Sequence, residues 1–159
     1  MKIRVSISQQ QLSLYSPNGD LVSRWSVSTA LNGAGEQNGS GCTPRGRHQI
    51  RALIGHREPI GAVFVGRRPT GEVYDVELAQ RFPKRDWILT RILWLSGLES
   101  GRNRGGNVDT MRRYIYIHGT PDSEPMGIPL SHGCIRMRNS DLIELFDQVT
   151  AGSIVTIEE

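Results

Sequence analysis

The sequence predicts a mostly β domain with one helix in its C-terminal half and a cysteine-bearing loop shortly before that helix. Short runs of alternating apolar and polar residues recur along the chain, and this is the period of half-buried strands. The 159 residues include 18 glycines and 8 prolines, a content that favours many turns over a helical bundle. A single segment near the C-terminus carries apolar residues at convincing helical spacing.

The first strands are predicted over residues 2–28. Apolar residues alternate with polar ones in three runs, which include Val5, Leu12 and Trp25. Between the second and third runs, residues 17–20 read Pro-Asn-Gly-Asp, in which Asn and Gly tolerate the positive φ of a turn. We therefore expect an antiparallel meander over this part of the chain.

The middle of the chain is predicted as strands separated by long loops. Residues 32–46 are rich in Gly, Asn and Ser and indicate a long loop, a kind of segment that is often functional. Residues 66–86 indicate an irregular excursion, and the arginine- and glycine-containing residues 97–113 a flexible loop. Strands are expected at 48–54, 62–65 and 88–95. The last run is apolar on both faces, so periodicity alone does not separate it from a helix.

The C-terminal part contains the predicted helix. Residues 114–117, Tyr-Ile-Tyr-Ile, favour a strand that delivers His118 and Gly119 to its end. Residues 141–149 place apolar side chains at i, i+3, i+4 and i+7, with Asn139 or Ser140 as the expected N-cap. A last strand is expected from Ile154 to Ile157.

Length and targeting signals set the expected domain organisation and location. The chain has the size of one ordinary domain, so residues 1–159 are predicted to fold as a single unit. No apolar run approaches the roughly 18 residues that span a bilayer, and the N-terminus shows no secretory signal pattern. If Met1 is the natural start, we expect a cytoplasmic protein, and a periplasmic one if an export signal was trimmed.

Charge and cysteine content weigh against several function classes. The formal charge of +3 is too small to indicate nucleic-acid binding, and aromatic residues do not alternate with the basic residues at 102–113. The spacing of His132 and Cys134 differs from the usual zinc-ligand pairs, although a site with His118 and Cys42 is an alternative that metal analysis would test. We expect no metal, no cofactor, no nucleic acid and no membrane partner.

The segment Ser131-His132-Gly133-Cys134 carries the clearest chemistry. A thiolate is the reactive form of cysteine, and a nearby helix N-terminus and a histidine both favour that form. Gly133 permits a tight turn, and the backbone N–H groups around it are candidates for an oxyanion site. His132 and His118 are the two candidate bases. A lone Cys–His pair is more often structural, so a buried, inert thiol is the competing interpretation.

A longer pattern resembles the YkuD-type L,D-transpeptidase family. It consists of Ile117-His118-Gly119-Thr120, followed after a short interval by Ser131-His132-Gly133-Cys134-Ile135-Arg136-Met137. The opening strand pair, the Thr43-Pro44-Arg45-Gly46 segment and the closing helix and strand also resemble this family. The resemblance is weakest over residues 55–113.

The resemblance implies a β-sandwich-like fold and a catalytic cysteine. Cys134 would attack the carbonyl between the third residue of a peptidoglycan stem tetrapeptide and its terminal D-Ala, leaving a thioester. His118 would be the base, and His132 and Gly133 would shape the pocket and the oxyanion site. Arg136 would bind a substrate carboxylate, with Gly119 and Ser131 also substrate-binding. Many relatives carry Asn in place of this arginine.

Two outcomes of the thioester define the functional alternatives. Attack by water would make the protein an L,D-carboxypeptidase, and attack by an amine would make it an L,D-transpeptidase. We favour a cytoplasmic L,D-carboxypeptidase in cell-wall recycling, because no wall exists there to cross-link. The resemblance also implies covalent inhibition by carbapenem-type β-lactams. Further residues that could meet stem-peptide carboxylates, or be surface charges, are Arg91, Arg112 and Arg113.

Overall fold

The alternating runs of the sequence become the strands of one sheet. The computed structural model describes all 159 residues. Its strands are β1 Lys2–Ser6, β2 Gln11–Tyr15, β3 Leu21–Ser26, β4 Gly46–Ile54, β5 Ala62–Val65, β6 Arg68–Val73, β7 Leu89–Gly97, β8 Tyr116–Gly119, β9 Ile135–Met137 and β10 Ile154–Glu158. Its helices are α1 Val76–Arg81 and α2 Asn139–Phe146. The mostly β class is confirmed.

All ten strands are joined in a single hydrogen-bonded sheet. The main order is β3-β2-β1-β10-β4-β7-β5-β6, and β8 branches from β7 to pair with β9. The predicted meander is present as antiparallel β1, β2 and β3. Strand β10 lies between β1, which it meets in parallel, and β4, which it meets antiparallel. The last strand therefore connects the meander to the rest of the sheet.

The main core lies between the sheet and α2. It combines buried apolar residues of β1, β2, β4, β7, β8, β9 and β10 with those of the helix. Leu142 and Leu145 of α2 are fully buried in it, as the helical spacing predicts. Burial of each such side chain stabilises the fold by about 2 kcal/mol. The helix thereby packs against β7 and β8 and supports the strand that carries His118.

Three local predictions are wrong in detail. The excursion at 66–86 contains β6 and the short helix α1, which buries only Leu78 and so carries no clear amphipathic pattern. The helix predicted at 141–149 begins earlier, at Asn139. Neither predicted N-cap acts as one: Arg138 is the N-cap and makes no side-chain cap bond.

No helix of the structure is both long and apolar enough to cross a membrane.

The side chain of Asn139 is used in the interior instead of at the helix end. It is buried, accepts a hydrogen bond from the Thr90 hydroxyl at 2.6 Å, and donates to the Thr120 carbonyl at 2.9 Å. A buried amide with partners on both sides ties separate segments together. Asn139 thus connects α2 to β7 and to the segment after β8.

The loop predicted as flexible is tethered to β4. Asn103 is fully buried and its amide donates to the carbonyls of Arg45 and Arg47. Thr110, also buried, pairs with the imidazole of His48 at 3.0 Å. These buried polar contacts hold the 98–115 loop in one conformation against the sheet. The strand predicted from Tyr114 begins two residues later, because Tyr114 has a φ of 56°.

Candidate active site

Cys134 and His118 lie on neighbouring strand ends and line the same cavity. Strands β8 and β9 pair in parallel, with His118 opposite Arg136. Cys134 directly precedes β9, and its Sγ accepts a hydrogen bond from the Tyr116 amide at 3.3 Å. Side chains two residues apart on a strand point to the same face. The topology therefore brings the thiol and the imidazole to one side of the sheet.

The cavity has a volume of about 490 Å³. This is the size that holds one small ligand or peptide segment. Its lining comes from β8 and β9 and from four connecting segments, and includes Arg67, Asp86, Arg113, Tyr114, Tyr116, His118, Ser131, His132, Cys134 and Arg136. Five of the seven predicted site residues are in this lining. Gly119 and Gly133 are not.

The Cys134 thiol is protonated at neutral pH. Burial raises its pKa to about 12, and the nearby charge of Asp86 acts in the same direction. The guanidinium groups of Arg136 and Arg113 oppose this only in part. The sequence-based expectation of a thiolate favoured by the helix N-terminus is wrong, because strand β9 separates Cys134 from α2. A base is therefore needed to activate the thiol.

His118 has the geometry of that base. Its Nδ1 lies 2.6 Å from the Gly119 carbonyl oxygen, which can only accept, so Nδ1 carries the proton and Nε2 is bare. The residue is buried, and burial lowers the pKa of its imidazole. At neutral pH the ring is neutral and able to take a proton. Neither histidine bonds Sγ, whose partners are the backbone of Tyr114 and Tyr116.

His132 occupies a different position from His118. Its side chain is 76% exposed, and its Nδ1 lies 3.5 Å from a carboxylate oxygen of Asp86. The same carboxylate accepts a hydrogen bond from Arg136 at 3.2 Å. Asp86 therefore joins His132 and Arg136 at the rim of the cavity. Sequence reasoning missed Asp86, which reaches the site from the loop after α1. The residues around it form no motif or periodic pattern that would indicate a functional site.

The turn that carries Cys134 is shaped by its neighbours. Gly133 has a φ of 135°, and an added Cβ would lie 3.4 Å from the Cys42 carbonyl oxygen, so glycine suits this position. The Ser131 hydroxyl donates to the Cys134 carbonyl at 2.5 Å and accepts from the Gly133 amide at 3.2 Å. Ser131 thus holds the turn. The Cys134 amide makes no hydrogen bond within the chain, so its N–H is a candidate donor to an oxyanion.

Gly119 lies behind the imidazole and away from the cavity. A Cβ at this position would meet the Asn139 side chain and, at 2.6 Å, the Leu89 carbonyl oxygen. Its own carbonyl orients His118. Gly119 therefore positions the candidate base and does not line the cavity.

Of the three further arginines that the sequence analysis named, only Arg113 lines the cavity. Arg91 is buried away from the cavity, donates to the carbonyls of Glu58 and Thr90, and lies over the Phe146 ring. Arg112 is exposed outside the lining. Arg113 reaches the cavity, but its guanidinium is bonded to backbone carbonyls, including that of Cys42 at 2.7 Å. Besides Arg113 and Arg136, the lining contains a third arginine, Arg67, which the sequence analysis did not single out.

Two other candidate residues, Cys42 and His48, make contacts that support the fold and do not line the cavity. Cys42 is a free, half-buried thiol that bonds to backbone carbonyls of its own loop. His48 is buried between the Gly46 carbonyl and Thr110. No group of three or more His, Cys, Asp or Glu side chains is arranged to hold a metal ion.

Comparison with known proteins gives one family. A model of the YkuD family, described as an L,D-transpeptidase catalytic domain, matches residues 1–157. YkuD of Bacillus subtilis is 41% identical over 61 residues, covering 35% of this chain and 37% of that protein. YbiS of Escherichia coli is 44% identical over 43 residues, covering 27% of this chain and 14% of YbiS.

A solved structure shares the fold. L,D-transpeptidase 3 from Mycobacterium tuberculosis, in complex with a faropenem-derived adduct, superposes with a TM-score of 0.58 at 18% identity. The match covers 99% of this chain and 59% of that one. This chain therefore spans less than two thirds of the length of each of these proteins.

Proposed function

Because this chain belongs to the YkuD family of L,D-transpeptidase catalytic domains, we propose that it is a cysteine-nucleophile enzyme acting on peptidoglycan stem peptides. The observation that carries this proposal is the shared cavity of Cys134 and His118, with the Nε2 atom of the imidazole free to accept a proton. In this proposal the bond cleaved joins the third stem residue to a terminal D-Ala.

The first half-reaction transfers the acyl group to the cysteine. Nε2 of His118 takes the Cys134 proton as Sγ attacks the scissile carbonyl carbon. The carbonyl oxygen becomes an oxyanion, to which the Cys134 amide, which has no partner within the chain, would donate. The intermediate collapses as the carbon–nitrogen bond breaks, and the imidazolium returns its proton to the nitrogen of the leaving D-Ala. A thioester remains on Sγ.

The second half-reaction regenerates the enzyme. His118 removes a proton from a water molecule that attacks the thioester carbonyl, the carbon–sulfur bond breaks, and Sγ recovers the proton. The products are a tripeptide and the free enzyme. Arg136, with its guanidinium at the His118 end of the site, would bind the D-Ala carboxylate.

We favour hydrolysis over cross-linking, and a cytoplasmic role in recycling. The turn between β5 and β6 and the loop containing Asp86 both contribute to the lining of the cavity, whose volume fits a single peptide segment. Water can reach the thioester through a smaller opening than a second stem peptide can. A hydrolase of this kind needs no assembled wall. The alternative is an exported L,D-transpeptidase that exchanges or cross-links stems.

Product analysis separates these alternatives. Purified protein is incubated with a stem tetrapeptide, alone and with an excess of an amine acceptor, and the products are identified by mass spectrometry. Tripeptide and free D-Ala in both reactions support the carboxypeptidase, whereas a cross-linked or exchanged product identifies a transpeptidase. The Cys134→Ala variant should be inactive, and Cys42→Ser is the matched control that should keep full activity. Fractionation of cells producing the native protein tests the location.

A carbapenem-type β-lactam should acylate the same sulfur. One solved neighbour, L,D-transpeptidase 1 of Mycobacterium tuberculosis, is described in complex with imipenem. For this chain we expect intact mass spectrometry to show one added carbapenem on the wild type and on Cys42→Ser. The Cys134→Ala variant should remain unmodified, and an adduct on it would contradict the assignment of the nucleophile.

A further inference from the structure

Arg67 occupies a backbone conformation that arginine rarely takes. It is the second of the two residues that join β5 to β6, and both Gly66 and Arg67 have positive φ, 56° and 64°. Two-residue hairpin turns with this geometry favour Asn and Gly, because a left-handed backbone brings Cβ close to the carbonyl oxygen. Turn geometry alone does not explain an arginine at this position, so the explanation is sought in the contacts of its side chain.

The Arg67 side chain is held at the cavity by aromatic residues. Its guanidinium carbon lies 4.8 Å from the centre of the Trp94 ring and 4.7 Å from that of Tyr114. One of its nitrogens donates to the Tyr116 hydroxyl at 3.0 Å. Cation–π contacts fix the orientation of the planar group without neutralising its charge. The guanidinium is thus ordered before any ligand binds.

The charge of Arg67 has no acidic partner. None of the ion pairs of the chain includes it, whereas Arg136 in the same cavity is paired with Asp86. Arg113 is also without an ion pair, but its nitrogens are bonded to backbone carbonyls. Arginine has five N–H donors, and a single one of those of Arg67 is used inside the chain. Arg67 therefore has both charge and donors available for an anion.

Arg67 and Arg136 reach the cavity at different positions along β8. Arg136 is opposite His118 in the strand pair, whereas Arg67 contacts Tyr114 and Tyr116, which precede His118 in the chain. His118 must lie beside the leaving nitrogen to protonate it. The carboxylate of a leaving D-Ala is two bonds from that nitrogen, so it falls near Arg136. The acyl part of the substrate then extends toward Arg67.

We infer, on the basis of the proposed function, that Arg67 binds a free carboxylate on the acyl part of the substrate and selects stem peptides that carry one. Two positions can supply it: the side chain of the third residue, when it ends in a carboxylate, and the second residue, when its α-carboxyl group is free. A guanidinium held by its face presents paired N–H donors from its edge, which suits a carboxylate. A third residue ending only in an ammonium group is repelled.

The test measures D-Ala release from three synthetic tetrapeptides. The parent peptide has both carboxylates free, and each of the other two has one of them converted to an amide. Arg67→Gly relieves the backbone conformation and should fold, which a thermal melt verifies. Arg57→Gly is the matched control, because Arg57 also has a positive φ, 69°, and is exposed outside the cavity.

We expect Arg67→Gly to lower kcat/KM for the parent peptide about tenfold or more, mainly through KM. Amidation of the bound carboxylate should lower kcat/KM of the wild type by a similar factor and have little effect on the variant. The amide that causes the loss identifies which carboxylate Arg67 binds. The kcat/KM of Arg67→Lys for the parent peptide should lie between those of the wild type and Arg67→Gly. The kcat/KM of Arg57→Gly should match that of the wild type.

The contrary results are distinct. Equal hydrolysis of all three peptides by the wild type overturns the role of Arg67 and leaves the proposed function intact. A loss in Arg67→Gly that is the same for all three peptides means that the arginine only supports the hairpin, and it also overturns the inference. Absence of D-Ala release by the wild type from every peptide overturns the proposed function itself.

Discussion

The hydroxyl of Thr43 donates a hydrogen bond of 2.9 Å to the carbonyl oxygen of Gly133, ninety residues further along the chain. The same hydroxyl accepts a hydrogen bond from the Ala30 amide at 3.0 Å. Thr43 is fully buried, so water does not compete for either contact. One side chain therefore joins the long loop before β4 to the turn that carries Cys134, and it fixes the backbone next to the nucleophile.

Replacing Thr43 by valine should destabilise the protein and impair the site together. Both hydrogen bonds are lost, which leaves a buried carbonyl and a buried amide without partners, at a cost of about 2 kcal/mol or more. The midpoint of urea unfolding should fall, and D-Ala release should fall even where the variant is fully folded. Thr70→Val is the control, because the Thr70 hydroxyl bonds only to Glu72, at exposed positions of β6. An unchanged midpoint for Thr43→Val would show that the contact is unimportant.

Alkylation of Cys134 should report its raised pKa. Burial raises the pKa of this thiol to about 12, and the thiolate is the form that reacts with iodoacetamide. Between pH 7 and 10 the alkylation rate should therefore rise about tenfold per pH unit without a plateau. Peptide mapping by mass spectrometry separates Cys134 from Cys42. A plateau below pH 8 would indicate a resting thiolate and would remove the need for His118 as a base.

Neutralising Asp86 should increase thiol reactivity. Burial is the main cause of the raised pKa of Cys134, and the Asp86 charge raises it further. In Asp86→Asn the thiol pKa should fall, so alkylation at pH 8 should be a few times faster than in the wild type. Glu124→Gln removes an exposed carboxylate outside the cavity and should leave the rate unchanged. A slower reaction in Asp86→Asn would contradict this electrostatic role.

His48 should make stability depend on pH in the acid range. Burial lowers the pKa of its imidazole from 6.5 to about 4. The unfolded chain therefore binds the proton first, and stability falls as the pH drops from about 6.5 toward 4, by at most about 1.4 kcal/mol per pH unit for one group. His118, whose pKa is also lowered by burial, contributes in the same direction.

Urea unfolding at several pH values between 7 and 4 measures this dependence. The His48→Gln variant should have a lower midpoint at pH 7, because the buried contact with Thr110 changes, but a shallower decline on acidification. His56 is exposed, so His56→Gln should keep the wild-type slope. Equal slopes in wild type and His48→Gln would show that His48 is not the group responsible.

Local sequence patterns predict the elements that have a clear period. Alternation marks β1 around Val5, and helical spacing marks α2 around Leu142, because each element buries one face. The pairing of strands is not visible in such patterns. That β10 lies between β1 and β4 depends on contacts between residues far apart in the chain. The helix α1, with one buried leucine, leaves almost no periodic signal.

The residues of the candidate site also fall into two groups, those that the sequence indicates and those that only the structure reveals. Cys134 and His118 stand in short segments whose composition and spacing suggest chemistry, so the sequence points to them. Asp86 reaches Arg136 from fifty residues earlier, and Arg67 comes from a hairpin of which only the first strand, β5, was expected. An isolated charged residue in a loop belongs to no periodic sequence pattern. Only the folded chain shows that these two belong to the cavity.

The position of β10 also has a consequence for synthesis. Among the ten strands, β10 alone pairs both with the meander, through β1, and with β4. A nascent chain that still lacks residues 154–158 holds two unpaired sheet edges, along β1 and along β4. Since β10 is the last of the ten strands to be made, the sheet is complete only after residues 154–158 have left the ribosome. Until then those edges are open to other nascent chains, and early contact with a chaperone would protect them.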